Sequence, residues 1–578
     1  MKILGISCFY HDAAAALVVD GQLVAAASEE RFSRIKQDPE FPVQAIKFCL
    51  EKAGTRAAEL DYVVFYDKPF TKFDRILSGY MATPFRSFKS FRLAMPIWLR
   101  QKLWISSIID KELDYKGEIL YLPHHLSHAA GAFFGSPFEK SAILTVDGVG
   151  EWATASYGIG DNNKIELIKE MHYPHSVGLL YSALTYYLGF QVNSAEYKVM
   201  GLAPYGQPVY QELIEEYLVR ICADGSIFLN MDFFNYHFGQ TMTGKKMEQL
   251  FGMPRRTPES GIESFHENVA ASIQAVTEKI VLKMAAHLRE KTGMKRLCLS
   301  GGVALNCKVN GLLLKQGLFD EIYAQPASGD AGGAVGAALY THYQVSGEDK
   351  KNQPFFTIGP SYTDNEIKKF LDENKIPYRA GQLDSHIRYT AEQIVDGKIL
   401  GLFQNGMEFG PRALGFRSIV ADARNNKMKE KINAAVKYRE QFRPFAPAVL
   451  EEKAADYFDC SAPAPYMLFN YGVNEDKRDI IPAVTHVDNS SRIQTVSKSD
   501  NPVFHRLISE FEKLTGVSIL LNTSFNMRGY PIVNTPEEAF ETFCTGGIDI
   551  LLMGSTLIVK DDISDDIINR FRLDKKFD

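Results

Sequence analysis

The residues best equipped for chemistry crowd into a few short stretches. "YLPHHLSHAAGAFFGSPF", residues 121–138, places His124, His125 and His128 within five positions, in a chain with 13 His among 578 residues. If this stretch is helical, His124 and His128 sit at i and i+4 on one face, and His125 points roughly 100° away. Two imidazoles on one face can share a metal ion, or can pair as hydrogen-bonded core residues. Two acidic turns favour the metal. Asp147 ends the apolar run "SAILTVDG", and Asp330 sits in "ASGDAGGA". Two His and two carboxylates suit a borderline divalent ion such as Fe(II), Mn(II) or Zn(II), and not the all-oxygen cage of Mg(II) or Ca(II). The competing reading of each aspartate is an ordinary turn acid.

Three further stretches carry polar groups suited to catalysis. In "YHDAAAALV", His11 could act as general base toward a hydroxyl and Asp12 could orient a polar substrate, or Asp12 could simply cap a turn. The stretch from "NGMEFGPRALGFRSI" to "YREQFRPFAPAVL" offers Arg412, Arg417, Arg424, Lys437, Arg439 and Arg443 within about thirty residues. Arg presents a bidentate fork to phosphate oxygens and Lys a point charge. A solvated basic face is the plainer reading, but "FRPFAPAV" embeds Arg443 among apolar residues, and a buried Arg needs an anion. Finally, "ILLNTSFNMRGYPIV" ends an apolar strand in Asn522, Thr523 and Ser524, whose short polar groups can bond an amide or phosphate; Arg492 could join them.

The elements that must position these groups are α/β in pattern. "KILGISCFYHDAAAALVVDGQLVAAASEERFSR" reads as three strands with a hairpin at Asp20–Gly21. The pattern returns in "SAILTVDGVGEWATASYGIGDNNKIELIKE", so a three-stranded unit is repeated, which suggests a duplicated α/β fold. Helical spacing runs over 262–292. A strand then leads through "SGG" into a helix, a turn whose Gly301 and Gly302 let backbone approach a phosphate, with Asn306 close behind. A polar stretch near 346–358 suggests a boundary, giving domains 1–355 and 356–578. Residues 68–105 are basic and aromatic, and read as an insertion packed on the core or on a second subunit, or as a membrane-surface helix.

Composition narrows the field. The hydrophobic fraction is 46%, the charged fraction 23% and the net charge -6, which fits a globular chain and argues against general nucleic-acid binding. Seven scattered Cys form no C-x-x-C pair. The amino terminus lacks the pattern of a signal peptide, and there is no long uncharged apolar run, so a cytoplasmic protein without a membrane span is expected.

Taken together, "HDAAAALV", "SEERFSRIK", "HHLSHAAGAF", "EYKVMGLAPYG", "SGGVALN", "GPRALGFRSI", "FRPFAPAV" and "LNTSFN" resemble the O-carbamoyltransferase family over nearly the whole chain. The resemblance implies an amino-terminal duplicated domain of the ASKHA (actin-like ATPase, TsaD-like) type and a carboxyl-terminal YrdC-like α/β domain. It implies carbamoyl phosphate and ATP as co-substrates, with Mg(II) accompanying the nucleotide, and a carbamoyl-adenylate whose carbamoyl group passes to a hydroxylated small molecule. It places a metal, typically Fe(II), on His124, His128, Asp147 and Asp330. Phosphate and carbamoyl contacts fall on Arg412, Lys437, Arg443, Arg492 and Ser524, with Asn522 beside them. Lys36 matches a lysine near the nucleotide, Gly301, Gly302 and Asn306 match the nucleotide turn, and His11 matches the position that assists transfer. A homodimer is compatible with the family. The rival reading is an ASKHA-type small-molecule kinase, which would leave the carboxyl-terminal cations idle.

Overall fold

The computed structural model describes residues 1–353, 358–437 and 439–573; the expected division at 355/356 lies outside them. The chain forms two compact units. One takes Met1–Glu29 and Gln37–Gln353, the other Glu30–Lys36 and Pro354–Asp578. Nothing in the sequence signals that residues 30–36 belong with the carboxyl-terminal unit.

The first unit is built twice to one plan. Strands β1 (Lys2–Ser7), β2 (Ala14–Val19) and β3 (Gln22–Ser28) form an antiparallel meander, and β4 (Tyr62–Phe65) and β5 (Glu118–Tyr121) extend it in parallel, giving the order β3-β2-β1-β4-β5. Strands β6 (Lys140–Val146), β7 (Ala153–Asp161) and β8 (Lys164–His172) form the second meander. After a small hairpin of β9 (Val219–Ile221) and β10 (Ile227–Leu229), strands β11 (Arg296–Ser300) and β12 (Glu321–Ala324) complete the order β8-β7-β6-β11-β12. Strand for strand, the second sheet repeats the first. This is the duplicated architecture of the actin-like ASKHA fold.

Two helices between the sheets carry the histidines and one aspartate. The helix His124–Gly135 and the helix Asp330–Ser346 are nearly all small or apolar residues, and both are buried along almost their whole length. Their small residues let them lie close together. A Cβ on Gly336 would sit 1.8 Å from the Ser127 carbonyl oxygen, and one on Gly131 would sit 3.0 Å from the Gly332 carbonyl oxygen. That close approach brings the two helix starts together.

The second unit holds a seven-stranded mixed sheet, with helices drawn from the sequence between its strands. Its strands are β13 (Leu400–Phe403), β14 (Arg417–Asp422), β15 (Ala446–Leu450), β18 (Gln494–Val496), β19 (Ile519–Ser524), β20 (Ile550–Met553) and β21 (Thr556–Val559). They run in the order β18-β15-β19-β14-β13-β20-β21; β16 (Asn470–Gly472) pairs apart with β17 (Ser490–Arg492). Strand β14 and most of β19 are buried on both faces, as expected for central strands.

Candidate metal centre and cation cluster

In the first unit, four side chains from three elements converge. His124 and His128 lie one turn apart on their helix, Asp147 follows the end of β6, and Asp330 opens its helix. The His124 and His128 Nε2 atoms stand 3.0 Å apart. His124 Nε2 is 3.1 Å from Asp147 Oδ2 and 3.8 Å from Asp330 Oδ1; His128 Nε2 is 3.9 Å and 3.6 Å from the same atoms. All four ligand atoms lie within 4.8 Å of one another, and all four residues are buried.

The donor set fits a divalent ion. Bonds of about 2.1 Å place neighbouring donors about 3.0–3.5 Å apart in octahedral or tetrahedral geometry, close to the separations found here. Two ring nitrogens facing each other at 3.0 Å leave one lone pair unmatched unless a proton or an ion lies between them. Burial alone would raise the pKa of both carboxyls, but the imidazoles overcome it. His124 and His128 hold Asp147 well below the usual range, and His11, His124 and His128 do the same for Asp330. Both are therefore charged acceptors, as a metal requires.

A surrounding layer fixes the four. Tyr66 Oη donates to Asp330 Oδ2 at 3.2 Å, and the Gly302 N–H donates to Asp147 Oδ1 at 2.8 Å. Glu151 accepts the His124 backbone N–H at 3.0 Å, satisfying a donor at the helix start. Ser300 Oγ lies 3.4 Å from His128 Nδ1. Gly301 has φ +90°, and a Cβ there would stand 2.3 Å from the Val146 carbonyl oxygen, so the turn admits glycine alone. The glycine turn read as a nucleotide cradle thus orients Asp147, one of the four candidate ligands. Asn306 caps the following helix through the Val309 N–H at 3.2 Å and exchanges hydrogen bonds with Gln274. Tyr66, Glu151 and Ser300 escaped the sequence reading; only Glu151, just after the "DGVG" turn, offered a signal.

His125 separates from its neighbours, bonding Thr145 Oγ1 through Nδ1 at 2.6 Å. Burial, then the adjacent His124 and His128, pushes its pKa down to about 3. A histidine depressed in this way contributes stability that is complete above its unfolded value of about 6.5 and is lost as pH falls toward about 3. His125→Gln is therefore expected to keep bound metal and to flatten the fall of unfolding free energy by about 1.4 kcal/mol per pH unit below about pH 6. Urea unfolding at several pH values reads this, and parallel slopes in both proteins would show that His125 does not titrate there.

His11 and Asp12 stand on the β1–β2 turn, where His11 Nδ1 lies 3.1 Å from Asp12 Oδ2. Phe9 and Asp12 hold left-handed φ values of +68° and +53°, an uncommon backbone that turns this loop sharply. Burial pushes the His11 imidazole down, but Asp330 and Asp12 more than reverse it and bring it to about 9. With Asp330 charged, the His11 imidazole is favoured in its protonated form.

In the second unit, Lys437 is the centre of the cation cluster. It ends a π-helical turn, Asn433–Lys437, and is buried. Its Nζ donates to Ser524 Oγ at 3.2 Å, to the Asn526 carbonyl at 3.0 Å and to Asn526 Oδ1 at 2.9 Å, and also to the Ser524 carbonyl. Burial, and then Arg439, Arg443 and Lys36, hold its pKa well below the ordinary lysine value. The structure thus joins Lys36, Lys437, Arg443 and Ser524. Arg412, in the loop before β14, and Arg492, at the end of β17, are half-buried. Asn522 is buried and bonds Gln494 Oε1 at 2.7 Å and the Ala413 carbonyl at 3.2 Å, while its Oδ1 has no partner.

Two cations of the sequence cluster are not available to a ligand. Arg417 is fully buried in β14, donates to the carbonyls of Gln404, Asn405 and Phe416, and stacks 3.6 Å over Phe403. Arg424 closes back on Asp422, with Nη2 to Oδ2 at 2.8 Å. Asn526, in the same stretch as Asn522 and Ser524, is the partner that holds Lys437 in place.

Residues 2–339 match the family model "Carbamoyltransferase N-terminus", and residues 391–560 match "Carbamoyltransferase C-terminus". The chain belongs to the carbamoyltransferase family. A protein of Synechocystis is 47% identical over 96% of both chains, and the nodulation protein NolNO of Sinorhizobium fredii is 39% identical over 96% of this chain and 79% of its own. Nodulation protein U of Rhizobium tropici is 29% identical over 98% of this chain and 97% of its own. Among solved structures, component A of the Acidaminococcus fermentans (R)-2-hydroxyglutaryl-CoA dehydratase aligns with 60% of this carbamoyltransferase and 99% of its own chain, at 14% identity and a TM-score of 0.32. The family makes the chain a transferase.

Proposed function

We propose that the protein is an O-carbamoyltransferase that spends carbamoyl phosphate and ATP to carbamoylate a hydroxyl of a small molecule or sugar. The observation that carries this reading is a pair of dissimilar sites in one carbamoyltransferase chain: a His2Asp2 centre in the first unit and a buried lysine amid further cations in the second.

The second unit supplies activation. Carbamoyl phosphate and water give carbamate and phosphate; a carbamate oxygen attacks the α-phosphorus of ATP, and pyrophosphate leaves. Lys437, Arg439, Arg443 and Lys36 converge their charge where phosphate oxygens would collect. Preorganised cations of this kind stabilise a departing phosphate without reorganising. Arg412 and Arg492 add forks suited to paired oxygens.

The first unit supplies transfer. The acceptor oxygen attacks the carbamoyl carbon, its proton leaves, and AMP departs. His124, His128, Asp147 and Asp330 would hold the metal, which polarises an oxygen of the adenylate or acceptor. Asp330 is the main pull that keeps His11 protonated, so a metal that took up the Asp330 charge would leave His11 able to accept the acceptor proton.

Incubation of iron-supplemented protein with labelled carbamoyl phosphate and ATP under anaerobic conditions is expected to release pyrophosphate and to build up carbamoyl-adenylate. A screen of hydroxylated acceptors should then show the mass gain of one carbamoyl group. Phosphate transfer from ATP to the acceptor, with no need for carbamoyl phosphate, would overturn the proposal in favour of a kinase.

A further inference from the structure

The basic, aromatic segment has a definite form. Helices Pro69–Ala82 and Pro84–Ile97 make a hairpin, and the second runs on into a π-helical turn, Trp98–Lys102. Its inner side is anchored. Phe73 packs on Trp98 at 5.7 Å between ring centroids, Tyr80 meets Phe91 edge-on at 5.7 Å, and Ser90 Oγ donates to the Phe238 carbonyl at 3.0 Å. On the same side, Lys72 pairs with Asp67 at 2.6 Å in a buried bridge.

The outer side is unlike the rest of the surface. Of 19 exposed large apolar residues among those described, eight fall between residues 70 and 104, and Phe85 is 97% exposed. Along the second helix, Phe85, Phe88, Lys89, Arg92, Pro96 and Leu99 recur at i, i+3, i+4, i+7, i+11 and i+14, a single stripe mixing apolar rings with cations. Among the exposed side chains of residues 68–104, five are basic (Lys68, Arg86, Lys89, Arg92 and Arg100) and one is acidic (Asp74), a net +4 within a chain of net -6. A monomer rarely leaves so concentrated an apolar stripe uncovered.

We propose that this hairpin docks on an anionic lipid surface. Charge decides the occupant. In a two-fold dimer each patch meets its own copy, so Lys89 and Arg92 of the two copies would face like charges. An anionic membrane surface instead attracts each cation, and Phe, Trp and Leu side chains insert at the headgroup boundary. None of the described helices is long and apolar enough to cross a membrane, so the mode is surface docking.

Co-sedimentation of the full-length protein with phosphatidylcholine vesicles containing one quarter phosphatidylglycerol, against pure phosphatidylcholine, tests this. Binding to the anionic vesicles should exceed the neutral control at least about tenfold and fall as salt is raised. The pairs Phe85→Ser/Phe88→Ser and Lys89→Glu/Arg92→Glu should each lower it about tenfold or more, with the circular dichroism spectrum and melting temperature retained. Equal binding to both vesicle types, no binding, or insensitivity to both pairs would overturn the proposal. So would a dimer in sedimentation velocity that the Phe85→Ser/Phe88→Ser pair dissolves, since the stripe would then be a self-interface. The readout needs no catalysis, so it stands apart from the assignment of carbamoyl transfer.

Discussion

Asp330→Asn is expected to strip the protein of its bound metal and to lower carbamoyl transfer about a thousandfold or more, while carbamoyl-adenylate still forms. The side chain keeps its shape, and its oxygen can still accept from Tyr66. What it loses is charge, at a place where His124 and His128 turn their Nε2 atoms toward each other at 3.0 Å. Even outer groups that only orient a ligand typically cost 10–100-fold when removed, so a carboxylate that touches the ion directly should cost more. The replacement also leaves the facing imidazoles, His11 first, without their counter-charge, so the melting temperature of the metal-free protein should fall. Metal analysis after dialysis, the rate of acceptor carbamoylation and the rate of pyrophosphate release together separate the cases. Metal retained at full occupancy would refute the ligand assignment. Loss of adenylate formation in step with transfer would refute the division of labour between the two sites.

The candidate metal centre was legible in part because some of its residues obey local rules. A helix makes His124 and His128 neighbours whatever surrounds it, whereas the small residues after Asp330 read as a turn and fold as the helix Asp330–Ser346. The repeated three-strand pattern was visible for a similar reason, since its hairpins are short and the alternation is strict. The long-range facts were not visible. No periodicity brings Tyr66 to Asp330, 264 residues away, or assigns Glu30–Lys36 to the carboxyl-terminal unit. The cations of residues 412–443 show the limit most clearly. Six of the nine basic residues there stood out in sequence, and none showed where its side chain points. Arg417 proved to be spent on backbone carbonyls inside β14 and Arg424 on Asp422, because a central strand turns its polar side chains wherever a partner lies. The protonation of His11 is set first by Asp330, which no local pattern places nearby.

The cations that remain lead to the second large effect. Lys437→Met should lower carbamoyl-adenylate formation about a thousandfold and leave metal content unchanged. A single preorganised donor to a developing oxyanion is worth about 10²–10³ in rate, and here the donor is a buried lysine whose charged form a bound anion would favour. A structural role for Lys437 would give a different signature. Its ammonium holds Ser524 and Asn526 by four hydrogen bonds, so its loss costs some stability. Against that, burial and the cations Arg439, Arg443 and Lys36 disfavour its charge, and methionine relieves both. The two effects oppose each other, so the melting temperature without ligand should change little. Inorganic phosphate or pyrophosphate should raise it in the natural protein and not in the variant, because the anion's principal counter-charge is gone. A variant that melts many degrees lower yet is still stabilised by pyrophosphate would make Lys437 a strut of the β19 loop, and the anion site would then rest on Arg412 and Arg443 instead.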